Sequence, residues 1–193
     1  MALGSHAATT QSHAALAEIR DTLLETYAAN EAMNQLILAA LDRRAWRAEP
    51  PGKKGRGRTI AAIFAHLHNT RLKWLRRSAP HLNRPAALDP HSCTMKQAAA
   101  AHKKSSAQCL AMLKDALSAA PKRRVEKFSR DGWAPDWPAG GTMFAYMFGH
   151  EAHHRGQILM MAHHLGYPAH KAMYGIWQWE RLWKVAGMKT RPR

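Results

Sequence analysis

From Ser12 to about Arg44 the chain contains neither glycine nor proline, and its apolar residues recur at threes and fours. Leu16, Ile19, Leu23, Leu24, Tyr27, Met33, Leu36, Ile37, Ala40 and Leu41 form the stripe. That spacing follows an α-helix, at about 3.6 residues per turn, and not a strand, whose side chains alternate. A helix of this length must pack its apolar stripe against other elements, so the chain is committed to a helical assembly from its first segment.

The rest of the sequence supplies the partners. Glu49 to Arg58 mixes prolines, glycines and cations and reads as a loop. Thr59 is a good N-cap for a second helix from Ile60 to Ser78, stopped by Pro80. His81 to Ser92 is irregular. A third helix is expected from Thr94 to Ala119, ended by Pro121. Lys122 to Phe128 holds a short extended piece, and Asp131 to Gly141 is a turn-rich connection whose Trp133 and Trp137 need something to pack on. Thr142 is expected to cap a fourth helix running to Leu165, with Gly166 in the C′ position. Met173 to Val185, with Trp177, Trp179 and Trp183, reads as a terminal helix or turn, and the tail from Lys189 is basic. The expected fold is all-α: a four-helix bundle with long crossover connections and a short C-terminal helical segment. Residues 13–186 form its single domain, between a loose tail at 1–12 and a basic tail at 187–193.

Lys and Arg total 29 against 13 Asp and Glu, a formal charge of +16. Such an excess favours polyanions or anionic ligands, or simply marks a solvated basic surface. The basic runs, Lys53 to Arg58, Arg76-Arg77 and Lys122 to Arg124, carry no interleaved aromatics for base stacking. No nucleic-acid motif accompanies them, so nucleic acid is not the expected partner. Cys93 and Cys109 form no CxxC pair and are not expected to bridge, which fits a reducing, cytoplasmic setting. No apolar run is long enough for a membrane span, and no leader pattern is evident at the N-terminus. Trp- and Met-bearing helix faces raise the expectation of a homodimer.

The chemistry concentrates at His150-Glu151-Ala152-His153-His154-Arg155-Gly156-Gln157. On a helix, His150 and His154 share one face, one turn apart, which is how a helix offers two imidazoles to one metal ion. His153, at i+3 from His150, is the alternative to His154. A third ligand is available on the second helix as His66 or His68. These two lie about 200° apart on the helical wheel, so both cannot face one site. Periodicity leans slightly to His68 as the inward residue and does not settle the choice. His163 and His164 read as surface residues or partners of the ligands. The segment also satisfies the HExxH pattern, in which two histidines bind zinc and the glutamate activates water. That reading makes the chain a metal-dependent hydrolase with Glu151 as base. The expected third ligand lies upstream and no strand is available to bind a peptide, so a protease is disfavoured.

Three segments together resemble the DinB/YfiT-like superfamily of metal-binding four-helix proteins (the damage-inducible family, not the DNA polymerase). They are Ala65 to Trp74, with a histidine followed by Arg71 and Trp74; His150 to Ile158, similar to the family's HxxHHRGQ segment; and the closing Tyr174 to Glu180. The resemblance spans roughly Leu24 to Trp183. It implies a metal triad of His66, His150 and His154, choosing His66 over His68. It also makes Glu151, Asn69 and Gln157 groups that orient the imidazoles. Arg155 would hold an anionic substrate group or cap a carboxylate, and Gly156 would let another helix approach.

Three neutral imidazoles leave a coordination position open and suit a divalent ion such as zinc or nickel. Some members of the superfamily are transferases that use low-molecular-weight thiols. The resemblance thus implies a metal-dependent thiol S-transferase acting on a small, anionic molecule. The alternative is a basic, metal-stabilised binding protein without catalysis.

Overall fold

The computed structural model describes residues 3–49, 57–119, 121–130 and 135–177. Among them, helix α1 spans Leu3–Ala40, α2 Ile60–Ser78, α3 Met95–Ala116, α4 Gly141–His164 and α5 His170–Trp177. Between α3 and α4 lie two short strands, β1 (Lys127–Phe128) and β2 (Trp137–Pro138), paired antiparallel with Lys127 opposite Pro138 and Phe128 opposite Trp137. The described chain is otherwise helical, as the spacing predicts.

Local chemistry explains most of the helix ends. The Thr59 hydroxyl accepts from the Ala62 amide at 3.2 Å and starts α2. Thr94 and Gln97 form a reciprocal capping box that starts α3. Ala162 and His163 carbonyls accept from the Tyr167 and Gly166 amides at 2.9 and 3.0 Å, and Gly166 has φ +80°, so α4 ends as expected.

Four expectations are corrected. Helix α1 begins at Leu3 rather than near Ser12, so residues 3–12 continue the helix instead of forming a loose tail. It ends at Ala40, where the Asp42 carboxylate accepts from the Arg44 amide at 2.8 Å and turns the chain. Thr142 is not the cap of α4: Gly140, at φ +136°, holds that position, and Thr142 lies inside the helix. Helix α3 stops at Ala116, ahead of the expected Ala119; the Ser118 hydroxyl then bonds the Asp115 carbonyl at 2.7 Å. The expected terminal helix is described only as far as Trp177. Trp179, Trp183 and the tail from Lys189 lie outside the described residues, as do Trp133, Lys53, Lys54 and Arg56.

Helices α1 and α2 each pack on both α3 and α4, closing a ring in the order α1, α3, α2, α4. Residues 41–59 and 117–140 therefore join helices that face each other across the bundle. Helix α5 lies on α1, where a Cβ on Gly175 would overlap Leu36 Cδ2. Trp137 finds its packing partners in Phe128, Tyr146 at 5.4 Å and the Arg130 guanidinium at 4.0 Å. No helix among the described residues is long and apolar enough to cross a membrane.

The core has two apolar clusters. One gathers Ile37, Leu41, Ile60, Phe64, Leu67 and Ile158; the other gathers Tyr27, Trp74, Met112, Leu113, Phe128 and Met147. Between these sequence levels each helix buries polar groups: Asn30 and Asn34 from α1, His68 and Arg71 from α2, His102 and Ser105 from α3, Glu151 and Arg155 from α4. The candidate site belongs to this polar layer.

Candidate metal centre

His66 on α2 and His150 and His154 on α4 come together, with one ligand atom from each lying within 4.8 Å of the others. Their ring centroids stand 5.5, 4.8 and 4.6 Å apart. The i,i+4 spacing on α4 does what helical geometry requires, and the packing of α2 on α4 brings in the third ring. His153 is exposed and outside the cluster.

His68 is the more deeply buried of the two candidates on α2, as periodicity suggested, yet it serves another purpose. Its Nδ1 meets the Ser105 hydroxyl at 3.1 Å, and its Nε2 donates to the Ala86 carbonyl at 2.9 Å. A bundle helix has two inward neighbours. His68 faces α3 and the 79–94 connection, while His66 faces α4.

The environment favours the neutral form of His150 and His154. Burial, with the His154 and His66 rings adding to it, lowers the His150 pKa from 6.5 to about 4. Burial likewise lowers that of His154, against an opposing bond to Gln157. The Gln157 amide oxygen can only accept, so the 2.6 Å contact with His154 Nδ1 assigns the proton to Nδ1 and leaves Nε2 with its lone pair. Gln157 thus holds the His154 ring, and its amide nitrogen donates to His153 Nε2 at 3.0 Å. His150 Nδ1 is buried without a hydrogen-bond partner, and its ring is walled by Trp74 and Tyr146 at 5.5 and 6.0 Å. A buried nitrogen left in this way calls for an explanation, and three converging imidazoles are a donor set for a borderline divalent ion.

Glu151 does not orient the imidazoles. One residue on from His150, it points into the polar layer, where five hydrogen bonds hold it. Arg71 Nε and Nη2 donate to Oε1 and Oε2 at 2.8 and 2.6 Å. Asn30 and Asn34 donate to Oε2 at 2.6 and 2.9 Å, and the Tyr27 hydroxyl donates to Oε1 at 3.2 Å. Burial alone would raise its pKa; the Arg71 guanidinium overrides this and holds it at about 2. A carboxylate so saturated is no general base, which removes the chemistry of the HExxH reading. Arg71 also bonds Glu31 and the His102 carbonyl, at 2.9 and 3.0 Å, joining all four helices.

Three further expectations are corrected. Arg155 is not placed to hold an anionic substrate group: it is buried and donates to the Asn30 and Asn34 side-chain oxygens. Asn69 exchanges two hydrogen bonds with the Leu88 backbone, at 2.8 and 2.9 Å, and pins the 79–94 connection. Gly156 faces open space, so its missing Cβ admits no neighbouring helix. Sequence reasoning missed the Arg71–Glu151 pair and buried His102. The signal was present in Asn30, Glu31 and Asn34, which interrupt the apolar stripe of α1 with polar residues one turn apart.

No curated protein and no solved structure matches the chain. A family model described as the DinB family matches residues 11–183, nearly the whole chain, and the chain belongs to that family.

Proposed function

We propose that this protein binds one divalent ion, zinc or nickel, through His66, His150 and His154, and transfers a low-molecular-weight thiol to a small electrophile. The observation that carries the reading is the convergence of three imidazoles from two helices, with ligand atoms within 4.8 Å. When bound, the ion supplies a Lewis-acidic open position that favours thiolate over thiol near neutral pH. The protein's own groups do the rest. Gln157 fixes the tautomer of His154, and Trp74 and Tyr146 shield the His150 ring from water. In the transfer, the sulfur lone pair forms the new C–S bond, the leaving group departs with its electron pair, and the thiol proton passes to solvent.

The chain's own thiols do not fill this role. Cys93 and Cys109 are both buried, and burial pushes the Cys109 thiol up to about 12. An external thiol is therefore needed. Elemental analysis of chelator-free protein tests the site: about one ion per chain is expected, lost in His154→Ala. Consumption of a thiol panel with an electrophile such as 1-chloro-2,4-dinitrobenzene tests the reaction. A metal-loaded protein that consumes no thiol faster than its His154→Ala variant refutes the transferase reading.

A further inference from the structure

Beside the triad lies a cleft of about 540 Å³ that the chemistry above leaves unused. Ile63, Met160 and Met161 give it an apolar lining, and Arg58, Gln157 and His164 supply its polar groups. The size falls within the range of small-molecule sites, and so does the mixture of apolar walls with a few polar groups. The cleft adjoins the histidines through Gln157, whose amide holds His154, and through Ile63, one turn before His66 on α2.

The lining specifies a ligand class. Met160 is 59% exposed, one of few large apolar side chains left open to solvent among the described residues. Two adjacent thioethers make a soft, adaptable wall for apolar bodies of varied shape. The Gln157 amide is already engaged on both sides by His154 and His153, so it is not the anchor for a charged group. Arg58 is exposed at the cleft edge and leads directly into the N-terminus of α2, where the helix dipole has the same sign. We infer that this cleft binds a small amphiphilic organic anion, its carboxylate or sulfonate on Arg58 and its apolar body on Ile63, Met160 and Met161. That it holds the electrophile of the transfer rests on the proposed function; that it binds such an anion does not.

The test uses two fluorescent probes that differ only in charge: 8-anilinonaphthalene-1-sulfonate and the neutral N-phenyl-1-naphthylamine. They are titrated into the full-length protein at physiological salt. The sulfonate is expected to bind more tightly. Arg58→Gln should weaken it about fivefold, the scale of one partly exposed charge-assisted contact, and change the neutral probe less than twofold. Met161→Asn should weaken both. Leu16→Ser and Lys122→Gln, at exposed positions elsewhere, should change neither, which separates the cleft from general apolar or cationic surface. Equal affinity for the two probes, or a response to Lys122→Gln matching that to Arg58→Gln, overturns the inference. His66→Ala keeps the two readings apart. Loss of metal with probe binding intact supports the cleft whatever the fate of the transferase reading. Metal retained in Arg58→Gln with probe binding unchanged sinks the cleft and leaves the triad standing.

Discussion

Replacing Arg71 by methionine removes the cation that neutralises Glu151 while keeping much of its bulk. The cost follows from the structure. Glu151 is fully buried and held at about 2, against an ordinary 4.5. At about 1.4 kcal/mol per pH unit, the native surroundings favour the carboxylate by about 3 kcal/mol. Without Arg71, burial of the carboxylate is opposed only by the Arg155 charge and by the remaining donors Tyr27, Asn30 and Asn34. A loss of about 3–5 kcal/mol is expected, the range for breaking one partner of a buried pair. Urea denaturation at pH 7 measures it. The double variant Arg71→Met, Glu151→Met removes both charges and should lose clearly less than the two single variants together. A loss under about 1 kcal/mol for Arg71→Met, or simple additivity in the double variant, would falsify the account of Glu151 as a charge that depends on Arg71. The pH sign also follows. A folded pKa below the unfolded one gives stability that is complete above about 4.5 and disappears as the pH falls through about 2.

Other outcomes follow from the same surroundings. Burial lowers His102 from 6.5 to about 3, so its neutral form stabilises the fold above pH 6.5 and that contribution drains away as the pH falls towards 3; His102→Gln should flatten this part of a stability–pH profile measured by thermal melting. Gln157→Leu leaves His154 without its anchor and should weaken metal binding about 10–100-fold in a competition titration with a chromophoric chelator, whereas His153→Ala should change it far less. Gly175→Ala drives a methyl into Leu36 and should cost about 1–3 kcal/mol in denaturant, relieved by Leu36→Ala in the same chain.

The helices were legible because the apolar spacing and the caps Thr59 and Thr94 act locally. Thr142 misled because a threonine near a helix start looks like a cap, while Gly140, with a conformation only glycine adopts easily, turns the chain there. The site was legible in part. His150 and His154 follow from spacing on one helix. His66 against His68 depends on which neighbour each face of α2 meets, and the resemblance, not the periodicity, pointed to His66. The resemblance makes Glu151 and Asn69 orient the imidazoles and gives Arg155 an anionic group or a carboxylate to hold. Their side chains leave the helices at other angles and reach α1 or the 79–94 connection. Those pairings span the chain, and nothing local encodes them.

The ring order of the helices has a consequence for how the molecule comes into being. Of the three consecutive helix pairs in the bundle, α2 and α3 are neighbours, while α1 with α2 and α3 with α4 face each other across it. The ring therefore stays open on the ribosome until α4 has emerged, since α3 already bridges α1 and α2 on one side and α4 closes the other. Contacts between segments so distant in the chain slow folding relative to a bundle built from successive hairpins. His66 is made first and waits for partners that lie 84 residues or more further along the chain. The cluster of imidazoles is thus a product of completed folding and not a nucleus for it.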